Sequence, residues 1–175
     1  MIPLESPRWP ELMQTYGHAG PVPEILRRLA AAKTPDDEPW PELWGMLCHD
    51  EDPHTASFAA VPHLFAIAAA DPDRVHAQFF ALPAAIEAAR TEDGDGMDLP
   101  DDVADAYMAA WHDVPRLIAA CIERTWDAEL TLAAVAVLAF AKDYRPLGEL
   151  AAGMTTDELE ALARELRDGA FEEDD

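Results

Sequence analysis

Three prolines sit inside long apolar-periodic runs, in the phrases Val61-Pro62-His63-Leu64-Phe65, Leu82-Pro83-Ala84-Ala85-Ile86 and Val114-Pro115-Arg116-Leu117-Ile118. A proline within a helix removes one backbone hydrogen bond and crowds the preceding turn, so it survives where a bend helps neighbouring helices pack. A bend that recurs implies a unit that recurs, and the pattern predicts stacked helical hairpins. The helical period dominates throughout and strand-like alternation is scarce. The fold class is therefore read as all-α, a right-handed stack of antiparallel helix pairs.

Prolines, glycines and caps set the expected boundaries. Short helices are predicted over 7–16, 23–32 and 39–48, with Gly17 and Gly20 marking the first turn. A longer helix starts near Thr55 and carries Phe58, Val61, Phe65 and Ala68 on one side, until Asp71-Pro72 ends it and opens the next. That next helix aligns Val75, Phe79, Leu82 and Ile86, and gives way to an acidic loop over 91–100. A third long helix, 101–126, has a stripe of Val103, Ala106, Ala110, Val114, Leu117 and Cys121. Asp127 caps a helix whose run 130–141 reads as buried on nearly every side, Leu138 included. Thr155-Thr156-Asp157-Glu158 is a capping-box pattern opening a last helix with Leu159, Leu162 and Leu166 on its apolar side.

These elements resolve into one domain over 1–175: short helices to residue 54, a first repeat over 55–90, a diverged second over 101–141, further helices over 142–170, and a frayed acidic tail. With 50% apolar residues the chain has enough material for a sizeable core. The first repeat, a helix with an internal proline, a tight Asp-containing turn and a second helix folding back, resembles a HEAT repeat. Leu43-Trp44-Gly45-Met46-Leu47-Cys48-His49 with Ala56-Ser57-Phe58-Ala59-Ala60-Val61-Pro62-His63-Leu64 is similar to a group of small bacterial HEAT-like proteins. Some of that group look like immunity proteins encoded beside toxins. The resemblance implies an α-solenoid that binds protein. The chain departs from the HEAT pattern after Asp127, where Thr131 and Leu132 stand in place of the usual basic residue.

Charge narrows the partner. Only 12 Lys and Arg face 35 Asp and Glu, a formal net charge of −23. Phosphate contacts rely on clustered Lys and Arg, so direct nucleic-acid binding is disfavoured, as is an anionic membrane surface. A basic protein is favoured instead. Cys48 and Cys121 both lie on apolar stretches and read as small buried hydrophobes. Residues 1–9 lack the basic start and apolar run of a secretory leader, and 130–141 is too short to span a bilayer. A reducing, cytoplasmic location is the expectation.

Four constellations invite a chemical reading. Cys48-His49-Asp50-Glu51-Asp52-Pro53-His54 is the densest group of metal-ligand types, with His49, Asp50 and His54 as the ligands of a metal-dependent phosphohydrolase. His49-Asp50 resembles the paired ligands of HD-type phosphohydrolases, which draw further ligands from other helices, and His18 and Asp113 are the candidates here. A polar helix-to-helix turn around Pro53 is the plainer reading and is preferred. The loop carrying Asp93, Asp95 and Gly96, with Asp102 at the twelfth place, partly follows EF-hand spacing, but Thr91 stands where a carboxylate belongs and Asp102 is shorter than the usual Glu, so an ordinary acidic linker is the preferred reading. Trp9 and Trp40 each precede a proline, where an indole can stay partly exposed as an anchor, the plainer reading being a hydrophobic staple that fixes the chain's entry into the helix.

The preferred reading is a non-enzymatic scaffold without a cofactor, an immunity-type inhibitor of a basic protein. The contact residues expected for it are Asp50, Glu51, Asp52, Asp93, Asp95 and Trp40. Acids of the loops 36–38, 50–52 and 92–98 should then gather along one edge. The metal-dependent phosphohydrolase centred on His49 and Asp50 is the alternative.

Overall fold

All three prolines lie inside helices, as their apolar contexts predict. A computed structural model describes residues 1–91 and 97–169. Pro62 falls within α3, Thr55–Ala70; Pro83 within α4, Gln78–Thr91; and Pro115 within α5, Asp101–Cys121. These are preceded by α1, Val22–Ala31, and α2, Trp40–Leu47. They are followed by α6, Ala128–Ala141, α7, Arg145–Ala152, and α8, Thr156–Gly169. The chain is thus mostly helical, in keeping with the all-α expectation.

Two minimal β-hairpins depart from that expectation. The first, β1 Met13–Gln14 with β2 Gly17–His18, and a single 3-10 turn at Trp9–Glu11 replace the helix expected over 7–16. Gly17 takes a φ of +123°, a conformation that side chains resist, and this lets the chain reverse. The second pairs β3 Cys48–His49 with β4 Asp52–Pro53. Thr15 binds both hairpin neighbourhoods together, its N–H and Oγ1 each donating to the Met46 carbonyl at 3.2 Å.

Helix caps follow local chemistry. The Asp127 carboxylate accepts from the Leu130 N–H at 2.7 Å, giving α6 its N-cap. The box ahead of α8 is formed: Glu158 Oε2 accepts from the Thr155 N–H at 2.8 Å, and Thr155 Oγ1 accepts from the Glu158 N–H at 3.3 Å. α3 begins with Ser57 Oγ, which accepts from the His54 N–H at 2.9 Å and donates to the Leu47 carbonyl at 2.5 Å.

Packing connects helices two apart in the chain. α3 lies against α1 and α5, while α4 lies against α2 and α6; α3 also meets α4, and α5 meets α6. One apolar cluster runs through these contacts from Ile2 to Ala151. Its centre is aromatic: Trp111 stands edge-on to Phe65 at 5.3 Å and to Phe140 at 6.0 Å, and Tyr107 does the same to Phe58 at 5.7 Å. Rings from α5 therefore tie α3 to α6. α7 packs on α6 so closely that a Cβ on Gly148 would lie 2.8 Å from the Phe140 ring.

The burial of α6 corrects one expectation. Val137 is fully buried, but Thr131, Val135 and Leu138 point outward, and Leu138 is 36% exposed. Alanines interleaved with larger side chains gave this helix an apolar look on every side, whereas one stripe, Thr131, Val135 and Leu138, faces out and the rest of 130–141 is covered wholly or in part.

Candidate functional site

The β3–β4 hairpin displays Asp50, Glu51 and Asp52 to solvent at the point where α2 hands over to α3. Asp50 and Glu51 form its turn with φ of 51° and 61°, the left-handed pair that a two-residue hairpin requires. Side chains other than glycine, and to a lesser degree asparagine and aspartate, adopt this conformation at a cost of roughly 1–2 kcal/mol each. The sequence pays that cost to keep two carboxylates at a tight, exposed tip. The Cys48 thiol beneath them is pushed up to about 11, first by burial and then by the charges of Glu51 and Asp52. It stays protonated at neutral pH and is a poor nucleophile and a poor metal ligand.

Glu51 also overhangs a trough between α4 and α7. One section, with a volume of about 290 Å³, is floored by Ala85, Ala88, Ala89, Ala152 and Gly153 and walled by Glu51 and Glu149. A second section of about 300 Å³ continues past Ala152 between α4 and α6, where the polar side chains are Gln78, Glu129, Thr155 and Thr156. The floor is alanine because larger residues on these faces would fill the space between the helices. The charged residues lining both sections are glutamates, of which Glu149 is ion-paired with Arg145 at 3.1 Å while Glu51 stands at the exposed hairpin tip. Such a surface offers a shallow apolar seat edged by carboxylates, with Glu51 on one wall and the Arg145-paired Glu149 on the other. It can receive aliphatic stems whose heads are cationic.

Trp40 does not join this surface. It is 7% exposed, its indole N–H donates to Glu38 Oε2 at 2.5 Å, and its ring stands edge-on to Phe79 at 4.8 Å. The contact role expected for Trp40 is therefore corrected: the residue is part of the core. Trp9 is buried as well and donates to the Pro3 carbonyl at 3.0 Å. Glu38, expected among the exposed acids, has a side chain wholly removed from solvent. His76 Nε2 lies 2.6 Å from its Oε2, and Arg74 Nε lies 3.3 Å from its Oε1. Arg74 in turn donates to the Ala32 and Leu29 carbonyls at 2.6 and 2.9 Å, closing the C-terminal end of α1. Asp93, Asp95 and Gly96 lie outside the described residues.

The metal-ligand candidates are spread out. His49 Nε2 sits 3.5 Å from Asp50 Oδ2 and its ring meets Tyr16 at 5.9 Å, while His54 Nδ1 lies 3.9 Å from Asp52 Oδ1. His18 is on β2, and Asp113 lines a separate groove between α3 and α5. Among the described residues, no group of three or more His, Cys, Asp or Glu side chains is placed to share a metal ion. Also among the described residues, no helix is long and apolar enough to cross a membrane. Compared with known proteins, the chain matches no family model, no curated protein and no solved structure.

The trough itself is a feature that sequence reasoning missed. Its signal was present as alanines at helical spacing in α4, at 81, 85, 88 and 89, but outward alanines read like packing alanines until the neighbouring helix is placed.

Proposed function

We propose that the chain is a non-enzymatic, acidic protein-binding scaffold, built as a HEAT-like right-handed stack of antiparallel helix pairs and acting as an immunity-type inhibitor of a basic protein. The observation that carries this reading is the alanine-floored trough walled by Glu51 and Glu149, continuous with the strained acidic tip of the β3–β4 hairpin. Packing of helices two apart in the chain supports the stack, since α-solenoids bury their core through such contacts. Two free, buried cysteines suit a reducing compartment.

The proposed partner presents Lys or Arg side chains to the trough. A net charge of −23 attracts any basic protein, so specificity has to come from the local arrangement. Capture from a lysate of the source cells, with the bound proteins identified, tests this when two variants are compared. Glu51→Gln with Glu149→Gln removes the walls, while Asp36→Asn with Asp105→Asn removes the same charge from exposed positions elsewhere. A basic protein retained by the second variant and lost by the first supports the trough. Equal loss from both, or from neither, refutes it.

A further inference from the structure

Every exposed Val, Leu and Ile among the described residues lies beyond Cys121. Most of them line or flank one groove of about 490 Å³ formed by α6, α7 and α8, with Trp126, Leu132, Val135, Leu147, Leu150 and Leu159 along it. Leu150 is 45% exposed and Leu159 38%. Folding that leaves this many branched aliphatic side chains in water on one face forgoes their burial energy, about 25 cal/mol for each Å² left uncovered. Surfaces of this kind mark sites where another molecule completes the packing.

The occupant can be argued from charge. The ionisable residues lining the groove are Asp127 and Glu160; no Lys or Arg lines it, and Arg164 sits one turn on from Glu160, donating to its carbonyl at 3.2 Å. The helix that forms one wall, α8, carries five carboxylates, Asp157, Glu158, Glu160, Glu165 and Asp168, against Arg164 and Arg167. A second copy of the chain, with a net charge of −23 over its whole length, would be repelled as a body of like sign. We infer that the groove between α6, α7 and α8 docks an amphipathic helix of a partner protein, with an apolar stripe at i, i+3, i+4 and i+7 seated in the groove and Lys or Arg along its margins. The groove adjoins the alanine trough at Leu132, Ala151 and Thr156, but Val135, Leu147, Leu150 and Leu159 belong to the groove alone. Docking here goes beyond the proposed function and does not require the trough to be filled.

Titration calorimetry with three synthetic helical peptides tests it. One combines a leucine stripe with lysine flanks, one keeps the lysines and replaces the stripe by serine, and one keeps the stripe and replaces lysine by glutamate. Binding of the first alone is expected, weakened by about tenfold or more in the Leu150→Gln, Leu159→Gln variant, the scale of losing two anchors from an apolar seat. Both positions are exposed, so the variant should melt close to the parent, and the serine-stripe peptide keeps the test valid if it does not. Equal binding of the serine-stripe peptide would show plain charge attraction and overturn the inference. So would failure of all three peptides to bind. A doubled mass of the free protein in light scattering, abolished by Leu150→Gln, would assign the groove to a second copy instead.

Discussion

Glu38 Oε1 and Arg74 Nε face each other at 3.3 Å, and among the described residues neither atom has a hydrogen-bond partner elsewhere. Through this pair, the turn before α2 is locked to the C-terminal end of α1, because Arg74 also donates to the Leu29 and Ala32 carbonyls. Arg74→Ala would leave a fully buried carboxylate without its cation. The expected loss is about 3–5 kcal/mol of unfolding free energy, read from urea titration. Adding Glu38→Gln should restore part of it. An Arg74→Ala protein within about 1 kcal/mol of the parent would show that the pair contributes little.

His63 gives the stability a pH dependence. Burial pushes the imidazole below its ordinary value, opposed by the hydrogen bond between its Nε2 and the Ile2 carbonyl at 2.8 Å and by Glu5, with the N-terminal amine adding to the lowering. The unfolded chain thus binds a proton more readily than the folded one. Stability from this site is fully present above the unfolded value, about 6.5, and is lost as pH falls below it. Melting from pH 8 to pH 5 should drop further in the parent than in His63→Gln, by about 2–4 °C for each kcal/mol involved in a chain of this length. Parallel curves would rule this out.

Neighbouring positions on α6 should behave oppositely. Val137→Asp places a carboxylate at a site with no solvent access and should abolish the cooperative transition, the cost being several kcal/mol against a total of about 5–15. Leu138→Asp, at an outward position, should melt within a few degrees of the parent. Circular dichroism distinguishes the two, and a reversed order would mean that α6 is rotated about its axis.

Gly148→Ala tests how tightly α7 meets α6. The added methyl would lie 2.8 Å from the Phe140 ring, so the ring or one of the helices must shift, at a cost of about 1–3 kcal/mol. Adding Phe140→Leu should relieve the overlap. A Gly148→Ala protein as stable as the parent would show that the helices separate freely.

The helices were legible because their signals are local: prolines within apolar runs, Asp127 as a cap, and Thr155 with Glu158 as a reciprocal box. The hairpins were not, since two-residue strands have no length over which alternation can show, and Asp50-Glu51 is not the Asn-Gly or Asp-Gly pair that announces such a turn. Trp40 was misplaced for a different reason. Its burial depends on Glu38 turning inward to meet Arg74 and His76, groups far along the chain. The acidic tip was visible as composition, but the trough that gives it a use needs α4 and α7 side by side, and helix spacing does not report on that.

The central claim, recognition of a basic partner through the acidic tip and trough, is tested most directly by the association rate constant for the captured partner as salt is raised. The Debye length shortens from about 30 Å at 0.01 M to about 10 Å at 0.1 M, so steering by Asp50, Glu51 and Asp52 should fade across that range. The account predicts a steep fall for the parent, with a slower rate and a shallower fall for Asp50→Asn, Glu51→Gln, Asp52→Asn at unchanged melting temperature. An association rate indifferent to both salt and these substitutions would contradict it.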